Sequence, residues 1–71
     1  MKYYFNQIAD RHGYHEVHSE DCIFFPPPAQ NGKRIDGDFS CCSDAINAAK
    51  NQHPSLTFDG CYYCCHECHK G

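Results

Sequence analysis

Between Cys61 and His69 the chain reads Cys-Tyr-Tyr-Cys-Cys-His-Glu-Cys-His, so nine consecutive residues hold four of its seven cysteines and two of its six histidines. Two CxxC spacings interleave there, Cys61 with Cys64 and Cys65 with Cys68. Two residues between thiolates let both sulfurs of a tight turn reach one tetrahedral metal ion. A helical reading places the same cysteines at i, i+3, i+4 and i+7, again on one face. Either geometry makes the sulfurs converge. A plain buried stripe would draw on Leu, Ile and Val, which this stretch lacks, and would have no use for flanking histidines.

A chain of 71 residues makes one domain, read as 1–71, and buries too little apolar surface to be stable without a staple. Its large aliphatics are Ile8, Val17, Ile23, Ile35, Ile46 and Leu56; five Tyr and five Phe carry the rest of the apolar load. At roughly one cysteine in ten, a short sequence is either a disulfide scaffold or a metal site. Residues Met1 to Gln7 show no apolar h-region and no small-residue cleavage site, so a cytoplasmic chain with reduced thiols is expected. An odd cysteine count beside six histidines also favours metal ligation over disulfides. No apolar run nears the roughly eighteen residues a spanning helix needs, and no membrane association is expected. Net charge is -3 and the six Lys and Arg are scattered, so a nucleic-acid partner held through its phosphates is not expected either.

Along the chain, Lys2 to Ile8 is aromatic-rich and weakly alternating, which suits an opening strand. Asp10 to Gly13 reads as a turn and Tyr14 to His18 as a second strand, making a hairpin. A helical reading of His12, His15 and His18 would stack three histidines, but Gly13 interrupts it and no cap precedes it. The strand leads into His18-Ser-Glu-Asp-Cys22, where HxxxC leaves enough chain for a turn that brings two soft ligands to one ion. Pro26-Pro27-Pro28, Asn31-Gly32 and Asp36-Gly37 mark residues 25–38 as a long surface loop. Ser43 to Gln52 is a helix, capped by Ser40 or Ser43, with Asp44 early, Lys50 late and Pro54 stopping it; Ala45, Ile46 and Ala49 form its apolar face. Cys41 and Cys42 lie at its start, where the helix dipole favours a thiolate. Leu56 to Phe58 reads as a strand and Asp59-Gly60 as a turn.

The ligand count favours His18, Cys22, Cys61 and Cys64, a Cys3His zinc site assembled from HxxxC and CxxC. Cys65 or Cys68 could take the place of Cys64; Cys65, Cys68, His66 and His69 could also form a second site with Cys41 or Cys42, or simply pack. A hydrolytic enzyme is the weakest reading, because only Glu20 and Glu67 lie near the motifs and neither sits in an enzyme signature. The fold expected is small α+β, zinc-stabilised, a short antiparallel sheet with one or two helices packed on it.

The order of HxxxC, a proline-containing loop, Asp38-Phe39-Ser40, the helix of Asp44-Ala45-Ile46-xx-Ala type and Gly60-Cys61-xx-Cys64 resembles the zinc-binding N-terminal domain of the bacterial Ada methylation-repair protein and small Ada-like bacterial domains. The likeness covers the chain from about Tyr14 to Cys64. It implies a small antiparallel sheet flanked by helices around one zinc. In the Ada domain four cysteines hold the ion and one accepts a methyl group from a DNA phosphotriester. By position His18, Cys22, Cys61 and Cys64 stand for the four ligands, with Cys61 at the acceptor place. His18 departs from the four-cysteine pattern and matches the Ada-like relatives better. The Ada-type CxxC is flanked by Lys and Arg, whereas this one encloses Tyr62 and Tyr63 and lacks such basic residues, so the resemblance implies a structural zinc module more than a methyl acceptor.

Overall fold

Tyr3 and Phe5 are two apart, and on a strand that spacing turns both rings to one side. The computed structural model, which describes residues 1–22 and 32–69, shows this in β1 (Tyr3–Asn6), where Tyr3 and Phe5 are buried and their neighbours half-exposed. β2 (His15–Ser19) pairs with it antiparallel, placing Val17 opposite Phe5 and His18 opposite Tyr4. The Asp10 carboxylate accepts the backbone N–H groups of His12 and Tyr14, and Gly13 takes the positive φ of 86° that closes the turn. The expected hairpin is thus formed, with β1 shorter than the stretch expected from its aromatics.

Two stretches expected as loop or turn form strands instead. Residues 25–38 were expected as loop, yet Gly32–Arg34 forms β3 and pairs antiparallel with β1; residues 25–31, with the three prolines, lie outside the described residues. Asp59-Gly60 was expected as a turn, yet Phe58–Gly60 is β4, which joins β2 in parallel with Val17 opposite Gly60. The sheet order is β3-β1-β2-β4. A turn dipeptide becomes a strand because β2 supplies a free edge, and the His15 N–H donates to the Thr57 carbonyl at 2.8 Å just ahead of it.

The helix α1 spans Cys42–Gln52. Its cap is neither serine: Cys41 occupies the N-cap position and makes no side-chain capping hydrogen bond. Ala45, Ile46 and Ala49 are buried as expected, together with Cys42, and the helix packs on β2 and β4. Phe5, Val17, Ile35 and Phe58 fill the space beneath it, the Phe5 and Phe58 rings meeting edge-on at 5.2 Å. A three-residue 3-10 turn, His66–Cys68, follows β4. One helix on a four-stranded sheet makes this a small α+β fold. Among the described residues no helix is long and apolar enough to cross a membrane.

Candidate metal centre

The parallel ladder brings together the two halves of a ligand set that lie far apart in sequence. Past the Val17–Gly60 pair, the Cys61 N–H donates to the Val17 carbonyl at 2.9 Å, so Cys61 enters the site directly from β4 beside the strand that carries His18. Beyond β2 the chain turns back on itself. The Cys22 N–H donates to the Ser19 carbonyl at 3.1 Å, the Ser19 hydroxyl donates to Asp21 at 2.7 Å, and the Lys2 N–H donates to Glu20 at 2.8 Å. That pinned turn swings Cys22 towards Cys61. On the other side the Cys65 N–H donates to the Cys61 carbonyl at 2.8 Å, which curls the CxxC into a knuckle.

The result is a group of four donors. His18, Cys22, Cys61 and Cys64 offer ligand atoms that all lie within 4.8 Å of one another, His18 and Cys61 buried and the other two half-buried. Zinc–sulfur bonds of about 2.3 Å in a tetrahedron set a sulfur–sulfur edge of about 3.8 Å. The Cys22 and Cys61 sulfurs are 3.8 Å apart. The donor set therefore fits a metal ion of this class. Cys65, the rival of Cys64, is fully buried with its sulfur 3.9 Å from that of Cys64 and lies outside the group of four. The three-histidine alternative does not form, because β2 turns His15 and His18 to opposite faces and His15 Nδ1–H donates to the Asn6 carbonyl.

Each donor is poised by its surroundings. Burial lowers the His18 pKa, which keeps the imidazole neutral. Its Nε2 lies 3.3 Å from Glu16 Oε1; a carboxylate there fixes the tautomer and leaves Nδ1 to carry the lone pair. Glu16 belongs to no motif, and its one sequence signal is the spacing of two from His18, which puts both on one face of the strand. Burial pushes the Cys61 thiol up. At Cys64 burial acts the same way, but the Ser19 N–H, 3.4 Å from the sulfur, and the neighbouring Cys22 and Cys61 thiols outweigh it, and the pKa is lowered. Burial lifts Cys65 to about 12. At Cys42 the thiolate expected from the helix dipole is overruled, since burial, then Cys68 and Glu67, drive its pKa up.

No family model, no curated protein and no solved structure matches this chain.

Tyr62 and Tyr63, enclosed by the CxxC, are 53% and 67% exposed. Tyr62 stands edge-on to Tyr63, His66 and His69, with ring centroids 5.3, 4.9 and 5.4 Å away. The two residues between Cys61 and Cys64 thus form a braced, exposed aromatic surface.

Proposed function

We propose that this protein is a small zinc module in which His18, Cys22, Cys61 and Cys64 hold one structural ion, and that its role is interaction or regulation, not catalysis. The observation that carries the reading is the convergence of one imidazole and three sulfurs on a single point, with a sulfur edge matching a tetrahedral ion. A complete set of four protein donors leaves no position for water, which is the mark of a structural site. The exposed Tyr62–Tyr63 pair supports an interaction role, since amphipathic rings held rigid are favoured at protein interfaces. Metal analysis tests the reading. The purified chain should carry zinc, and Cys22→Ser and Cys61→Ser should each lose the ion of this site, whereas Cys41→Ser should keep it.

A reactive zinc-thiolate centre is the second reading, supported by the Ada-like resemblance and by the lowered Cys64 pKa. Cys61, at the acceptor position, is only 1% exposed, and the net charge of -3 gives a phosphate backbone little to hold. Zinc-loaded protein incubated with DNA carrying methylated phosphotriesters should therefore keep its intact mass. A stoichiometric gain of one methyl group on Cys61 would instead establish the acceptor chemistry.

A further inference from the structure

Three donors outside the His18 group converge on another point. Cys42, the first residue of α1, is 2% exposed; its thiol donates to Glu67 Oε1 at 3.2 Å, and its sulfur lies 2.7 Å from that of Cys68. The three donor atoms lie within 4.8 Å of one another. They come from separate elements, the helix start and the 3-10 turn, 25 and 26 residues apart in the chain. The turn is held there by close packing. A Cβ on Gly60 would lie 2.7 Å from Cys68 Cβ and 2.8 Å from the Cys65 carbonyl oxygen, so β4 and the turn are in backbone contact.

We propose that Cys42, Glu67 and Cys68 form a second metal site, for a zinc-class divalent ion, whose fourth donor comes from outside the chain. Two sulfurs and a carboxylate are donors zinc accepts, and three protein donors leave one position open. Binding releases the thiol protons to solvent. Two adjoining thiolates repel unless a cation sits between them. An ion with zinc–sulfur bonds of about 2.3 Å sets the sulfurs about 3.8 Å apart, so loading opens the pair by about 1.1 Å, within reach of a side-chain rotation at the half-buried Cys68. A cleft of about 230 Å³ adjoins the group, lined by Glu67 and Cys68 with Ser43, Asn47 and Lys50 among others. It gives the ion a route in and its fourth donor a place, and the Lys50 ammonium favours an anion there. This site would be exchangeable where the His18 centre is closed.

Native mass spectrometry of the zinc-equilibrated protein counts the ions. The unmodified chain should carry two; Cys68→Ser, a substitution at a half-buried turn position, should carry one. Glu67→Gln, at an exposed position, should weaken the second ion by about tenfold and leave the first unchanged. One ion that Cys22→Ser removes and Cys68→Ser keeps would overturn the second site and leave the first standing. One ion that Cys68→Ser removes and Cys22→Ser keeps would do the reverse, and none would overturn both. Two ions in Cys68→Ser, or an unmodified chain lighter by two hydrogens through a Cys42–Cys68 disulfide, would also sink the second site.

Discussion

Cys41 sits at the N-cap of α1 with extended backbone, φ -151° and ψ 162°, the conformation from which a capping side chain reaches back to the first turn. A thiol is a weak acceptor, and no such bond forms. Cys41→Ser supplies an acceptor of similar size and should stabilise the fold by about 0.5–1 kcal/mol, seen as a higher denaturant midpoint at unchanged slope. His18 makes a second residue-scale prediction. Its pKa is lowered in the fold, so over the window between the folded value and the unfolded value of about 6.5 the unfolded chain binds more protons. Stability is therefore full above that window and falls as pH drops through it, and because an ion needs the neutral ring, metal retention falls in the same direction. Melting temperature and bound zinc should both decline as the pH falls below about 6.5; a flat profile would contradict the placement of His18.

Among the elements, β4 shows most plainly what local sequence hides. Asp59-Gly60 has the chemistry of a turn, and Gly32-Lys-Arg has no apolar alternation, so neither announces a strand; each becomes one because a neighbouring strand offers a free edge. Tertiary pairing overrides propensity there. By contrast the aromatic β1 and the alanine-rich α1 were legible, because Tyr3, Phe5, Ala45, Ile46 and Ala49 carry the period of their element. The proximity of His18, Cys22, Cys61 and Cys64 was legible too, since HxxxC and CxxC encode it in short spacings. A second group joining Cys68 to Cys41 or Cys42 was among the alternatives the sequence offered, but the choice of Cys42 and the part of Glu67 were not legible, as their meeting depends on how the helix start faces the 3-10 turn. Gly60 joins these two stories. Gly60→Ala places a methyl group against the Cys65 backbone, which no side-chain movement relieves, and should destabilise the fold by about 1–3 kcal/mol in thermal or denaturant melts.

For the whole molecule, the question is what holds 71 residues together. The buried core contains few large side chains, and a core of this size supplies a few kcal/mol at most. A structural zinc site contributes on the order of 10 kcal/mol, so the proposed ion would outweigh the packing. Treatment with a strong chelator should abolish the cooperative melt and the native circular dichroism spectrum, and added zinc should restore both. A chelated sample that still melted as the native protein does would show that packing alone suffices.

The parallel pairing of β2 with β4 bears on time as well as stability. His18 lies on one strand with Cys22 just beyond it, Cys61 and Cys64 follow the other, and the ladder keeps the two pairs adjacent although Cys22 and Cys61 are 39 positions apart. If the proposed ion is bound there, a donor that let go would remain tethered beside it at high effective concentration and could rebind before the next one left. Complete loss of the ion would then be favoured by separation of the two strands, a local unfolding event. The opening of a strand pair would accordingly set how readily a competing chelator takes the metal.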